Sequence, residues 1–183
     1  MQDNKTAPPP SLKKPQLDVA VFGGFNAVKS LWRSLGAGLW VPTPAKLETE
    51  QRGYTLHSLE TAMSGGAAHI KGFLHSPRPA GCLWVRGIRD PYGQDHTPPE
   101  HTLRLILSLH LPIIVLHFAR PKQQVPDEAE INLRELLSEL GASGDEVPVL
   151  QCPAFEEPQE VISQALAGLG PFLDEHLRMP PSK

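Results

Sequence analysis

The segment Gly23-Gly24-Phe25-Asn26-Ala27-Val28-Lys29-Ser30 follows a short apolar run and leads into an amphipathic stretch. Its first glycine, lysine and serine keep the register of the phosphate-binding loop G-x-x-x-x-G-K-[ST]. In that loop backbone N–H groups wrap phosphate oxygens, the lysine neutralises their charge and the hydroxyl holds magnesium. Val28 stands where the second glycine belongs. If that position needs a positive φ, or leaves room only for hydrogen beside the phosphates, a β-branched residue there costs on the order of 1–3 kcal/mol. Taken alone the pattern is weak, because a strand–turn–helix step that reaches Lys-Ser by chance is common.

Other chemistry-bearing residues point to bland roles. His96, Glu100 and His101 fit a solvated loop and helix start better than a metal site, and His57, His69 and His75 lack ligand spacing. Ser64-Gly65-Gly66 is not a nucleophile elbow, which requires G-x-S-x-G with the serine central. Cys82 and Cys152 each fall in an apolar strand-like run and read as buried free thiols, since two lone cysteines cannot frame a zinc site. Trp32, Trp40 and Trp84 read as core anchors, and Asp127-Glu128 with Glu130 as the acidic first turn of a helix. No resident metal is expected.

The elements that must position these residues form one domain. The 183 residues are 40% hydrophobic and 20% charged, enough for a real core. A net charge of −3 creates no field that draws the chain to DNA or an anionic membrane. The 20 prolines gather in the tails and between apolar runs. Residues 1–16 read as a disordered proline-rich arm without the apolar core of a secretory signal, 17–178 as the domain and 179–183 as a tail. No run is long enough for a membrane span, and Asn4-Lys5-Thr6 is a sequon without a secretory context. These features fit a cytoplasmic protein.

Leu17 to Phe22 predicts a strand, and Val28, Leu31, Trp32 and Leu35 a helical stripe closed by Gly36 and Gly38. Residues 39–79 read as long loops with one short helix. Cys82 to Val85 predicts a buried strand, and 90–99 a loop. Glu100 to Leu111 predicts a helix with Leu103, Ile106, Leu107 and His110 inward. Ile113-Ile114-Val115-Leu116 has the uninterrupted apolar character of a central parallel strand. A helix capped by Asp127 follows, with stripe Ile131, Leu133, Leu136, Leu137 and Leu140, closed by Gly141. Val147 to Leu150 predicts another strand, and Glu157 to Leu177 an amphipathic segment broken or kinked near Gly170-Pro171. Alternating strands and helices imply a three-layer α/β/α sandwich with a mainly parallel sheet. Its ligand sites lie at the carboxyl ends of the strands, which directs attention to loops starting at Gly23, Gly87, His117 and Cys152.

Along this order the chain resembles the G domain of the elongation factor Tu family of translational GTPases. Arg52-Gly53-Tyr54-Thr55 resembles that family's R-G-I-T, whose threonine closes over magnesium and the terminal phosphate. Gly65-Gly66-Ala67-Ala68-His69-Ile70-Lys71 resembles P-G-H-A-D-Y-I-K, and Gly81-Cys82-Leu83-Trp84-Val85 the strand G-A-I-L-V. Glu100-His101-Thr102-Leu103 and Pro112-Ile113-Ile114-Val115 are similar to R-E-H-I-L and P-Y-I-I-V. Asn132-Leu133-Arg134-Glu135-Leu136-Leu137 is similar to the V-R-E-L-L helix, and Phe172-Leu173-Asp174 to the final helix. The resemblance runs from about residue 17 to 178, and collinearity rather than any one piece carries it.

The departures fall on chemistry. Ala62-Met63-Ser64-Gly65 stands for D-x-x-G and lacks the aspartate of the magnesium shell, and Gly66 replaces the catalytic histidine. Ala119-Arg120-Pro121-Lys122 stands for the guanine-reading N-K-x-D, and Pro153-Ala154 is what remains of S-A-L. The family's aspartate accepts two charge-assisted hydrogen bonds from the base, together about 3–6 kcal/mol, or about two to four decades of affinity. Lys122 can only donate. The resemblance therefore implies a P-loop GTPase-like fold with a vestigial nucleotide site: Gly23, Lys29, Ser30, Thr55 and Gly65 retained, Ala119 and Lys122 as lost base-recognition positions. No catalytic residue is assigned. GTP and magnesium, the latter at Ser30 and Thr55, enter only if the chain is instead a divergent nucleotide hydrolase. The favoured expectation is a pseudo-GTPase that meets a protein partner through its switch-side surface, with the translation machinery as the partner that analogy with the family suggests.

Overall fold

A computed structural model describes residues 14–37, 43–59, 67–75, 78–86, 100–119, 128–153 and 158–177. Trp40, Gly65, Lys122, Asp127 and Ala154 lie outside the described residues, as do all of 60–66, 87–99 and 120–127. The strands are β1 (Gln16–Gly23), β2 (Ala45–Glu48), β3 (Gly53–Ser58), β4 (Gly81–Arg86), β5 (Ile113–Ala119) and β6 (Val149–Pro153). The helices are α1 (Phe25–Ser34), α2 (Ala67–His75), α3 (Glu100–Ser108), α4 (Glu128–Glu139), α5 (Gln159–Leu166) and α6 (Leu169–His176). One six-stranded sheet has the order β2-β3-β1-β4-β5-β6, and only the β2–β3 pairing is antiparallel.

Alternation along the strands divides the core into two layers. On one face Val19, Val21, Leu56, Leu83, Val85, Ile114 and Leu116 pack with Val28, Leu31 and Trp32 of α1, Ile162 and Leu166 of α5, and Leu169 and Leu173 of α6. On the other, Ala20, Phe22, Cys82, Trp84, Ile113 and Val115 pack with Ile70 and Leu74 of α2, Leu103 and Ile106 of α3, and Leu133 and Leu137 of α4. β1, β4 and β5, buried on both faces, carry the near-continuous apolar runs that interior parallel strands require. Both cysteines are free and buried. Among the described residues no helix is long and apolar enough to cross a membrane, and no cluster of ligating side chains could hold a metal.

Several sequence expectations need correction. The stretch 39–79 is not mainly loop: it contains β2 and β3 as well as α2. β1 already begins at Gln16, within the stretch read as the arm. α3 ends at Ser108, and His110, expected on its inner side, is exposed in a turn with φ 52°. Ile131, expected on the inner stripe of α4, is 46% exposed. The last strand lies two residues later than the run Val147 to Leu150 suggested. The C-terminal segment breaks between Leu166 and Leu169, ahead of Gly170-Pro171, because Pro171 sits in the first turn of α6, where no intrahelical donor is lost.

Candidate functional site

In a doubly wound sheet the ligand crevice opens where connections leave in opposite directions. Here β1 is that strand, since the chain goes from it toward β2 and β3 and then crosses to β4 and β5. The crevice is therefore at the carboxyl end of β1, beside β4, and that is where the sequence puts Gly23.

Gly24 alone separates β1 from α1, and it caps the helix with extended backbone and no side-chain bond. The N–H of Val28 donates to the Gly24 carbonyl at 3.0 Å, so the helical hydrogen-bond ladder is already running at the residue that should be the second loop glycine. The Val28 side chain is fully buried in the core with Leu31 and Trp32. Lys29 and Ser30 lie within α1, half-buried, and Lys29 is engaged with another group of the protein. A phosphate-binding loop needs several non-helical residues whose N–H groups converge on the anion. This junction has one, and only the first-turn donors of α1 remain outside the ladder. The residues present do not fit a wrapped polyphosphate.

Gly23 has an explanation that involves no phosphate. It pairs with Val85 of β4 and takes φ 150°, and a Cβ built on it would lie 1.9 Å from the Val85 carbonyl oxygen. A side chain is excluded by close approach of the neighbouring strand, a requirement of the sheet itself.

The remaining positions scatter. Thr55 lies inside β3 and pairs with Asp18 near the amino end of β1 on one side and with Lys46 of β2 on the other. It is thus remote from Gly23, Lys29 and Ser30, and the structure does not bring the four together. Sequence matching aligned Thr55 with the threonine that closes over magnesium and the terminal phosphate, because Arg52-Gly53-Tyr54-Thr55 is too short to reveal the strand it belongs to. Ala119 is the last residue of β5 and pairs with Pro153. No loop starts at His117, because β5 and its apolar run continue past it to Ala119.

Polar groups that the sequence reading did not single out gather at the same carboxyl edge. Phe22 stacks on Trp84 with ring centroids 5.8 Å apart, and the Arg86 guanidinium lies 5.3 Å from the Trp84 ring centre. Arg86 pairs with His117 across β4 and β5, and both are buried, as is Thr102 of α3. The sequence signal was there: a histidine interrupting an otherwise apolar run, and an arginine closing a strand. Farther along, burial pushes the Cys152 thiol up to about 11 and the Cys82 thiol higher still, so neither is a nucleophile at neutral pH. At the amino half of the sheet, His57 Nε2 lies 2.7 Å from Asp18 Oδ1, and its ring tilts against Phe73 of α2.

No family model and no curated protein matches the chain. Among solved structures it is similar to the G-domain of FeoB from Methanococcus jannaschii, with 12% sequence identity and a TM-score of 0.53, over 88% of this chain and 99% of that one. At that identity the likeness shows the fold: a P-loop GTPase-like α/β domain. It does not single out the elongation factor Tu family, and the resemblance to that family remains one of motif order.

Proposed function

We propose that this chain is a pseudo-GTPase: a GTPase-like domain that serves as a protein-interaction or regulatory module with little or no GTP hydrolysis. The observation that carries the reading is the β1–α1 junction. Gly24 is its only non-helical residue, Val28 is committed to the helix by its N–H and to the core by its side chain, and Gly23 is fixed by β4. The substitutions at 62–66 and 119–122 support the same reading, because phosphoryl transfer depends on positioning and charge neutralisation, which those residues would have supplied.

The partner meets the carboxyl-end loops, the face on which switch segments lie in related folds. By the resemblance in motif order this partner belongs to the translation machinery, and the protein is cytoplasmic. Titration calorimetry with GTP, GDP and ATP in the presence of magnesium is expected to show no binding. Micromolar or tighter affinity for any of the three sinks the proposal. The competing reading, a divergent hydrolase using Lys29 and Ser30, rests on the retained register of those two residues. It predicts phosphate release that Lys29→Ala abolishes; equal rates in both proteins remove it.

A further inference from the structure

At the opposite end of the sheet from the β1–α1 junction, the β2–β3 turn and the α5–α6 corner enclose an open groove of about 820 Å³. Its lining is apolar at Leu47, Leu166, Ala167 and Pro171 and acidic at Glu48, Glu50, Asp174 and Glu175. Asp174 is oriented by the Tyr54 hydroxyl at 2.7 Å, and Gly170 lets α6 approach the turn, where a Cβ would come within 2.8 Å of Thr49 Cγ2. The one basic residue among its lining groups is Lys14, whose ammonium donates to the Thr49 carbonyl at 2.6 Å. The groove is thus built by packed elements, combines apolar and acidic groups, and the chain N-terminal to β1 leaves from its wall at Lys14.

We infer that this groove is the seat of the chain's own N-terminal segment, residues 1–13. Three features of that segment match it. Lys5 and Lys13 oppose the carboxylates of the rim, with Asp3 the only acid among the thirteen positions. Pro8-Pro9-Pro10 favours an extended polyproline II conformation, which offers pyrrolidine faces to the apolar lining residues and loses little entropy on docking. The reach is ample, since an extended segment of this length spans ~40 Å and starts at the groove itself. The interaction is intramolecular, so weak exposed charge pairs act at high effective concentration.

Spin labelling of the full chain tests this directly. Thr6→Cys supplies one reactive thiol, because Cys82 and Cys152 are buried. The label is expected to attenuate the amide signals of residues 48–51 and 166–175 at every protein concentration, while those of α4 around Ile131 keep theirs. Glu48→Lys with Glu50→Lys, both at exposed positions, is expected to abolish the effect, as is 1 M salt, where the screening length falls to about 3 Å. Attenuation that is absent or spread evenly over the domain overturns the inference, and so does attenuation that survives the charge reversal. Attenuation transferred between labelled and unlabelled molecules in a mixture assigns the groove to a second copy and overturns it as well.

Discussion

The two layers of the core close their polar groups differently. In the layer under α1, α5 and α6, the Trp32 indole donates to the Thr43 carbonyl at 2.8 Å and the Tyr54 hydroxyl to Asp174 at 2.7 Å. Arg52 donates to the carbonyl of Leu177 just past α6. In the layer under α2, α3 and α4, Trp84 is as deeply buried as Trp32, yet among the described residues its indole N–H has no acceptor. The hydroxyl of Thr102 has no partner there either. A buried donor left open costs the domain free energy that a satisfied one does not. The first layer thus bonds these polar side chains internally, whereas among the described residues the second leaves the Trp84 indole and the Thr102 hydroxyl open.

The largest effect belongs to the seam the layers share. Gly23→Ala places a methyl group against the Val85 carbonyl, and only separation of β1 from β4 relieves it. A loss on the order of 3 kcal/mol or more is expected, visible as a large drop in the denaturant midpoint or as failure to fold. A loss below about 1 kcal/mol would mean the two strands are not held as closely as the pairing indicates.

Next comes the clasp of the first layer. Burial, and after it the hydrogen bond to Asp174, pushes the Tyr54 hydroxyl from its ordinary 10 up to about 12. The folded state holds this proton more tightly than the unfolded chain does. Its contribution is therefore complete below pH 10 and is lost as pH rises from 10 to about 12. Tyr54→Phe is expected to cost about 1–2 kcal/mol at neutral pH and to flatten the alkaline fall in stability between those limits. Unchanged unfolding midpoints at both pH values would show that α6 is held by its apolar face alone.

How much of this was legible in the sequence depends on how long each signal runs. β5 announces itself because an interior parallel strand must be apolar on both faces, and the buried thiols follow from the runs that contain them. The carboxyl edge could be located from the strand–helix alternation alone. β2 and β3 were missed because AKLE and GYTLHS are short and mixed, with Thr55 and His57 on a face that also carries polar neighbours: the His57 ring N–H donates to the Asp18 carboxylate between β3 and β1. That Val28 spoils a phosphate loop was readable, but the one-residue junction was not. The start of α1 carries no capping side chain and no acid in its first turn, so its stripe became visible only at Val28.

The smallest effect has the opposite sign from that at Tyr54 and separates the layers most cleanly. Thr102 is fully buried on α3, and its Oγ1 lacks a partner among the described residues. Valine has nearly the same shape and a similar helix propensity, so Thr102→Val changes little except the hydroxyl. Removing an open polar atom recovers its desolvation cost, and a gain of up to about 1 kcal/mol is expected in chemical denaturation. Tyr54→Phe deletes the same kind of atom from the first layer and should lose stability, since there the atom is bonded. A loss of comparable size on Thr102→Val would mean that its hydroxyl is engaged, by water or by the segment entering α3. Among the described residues the second layer would then keep only the Trp84 indole open, and the contrast with the first would narrow.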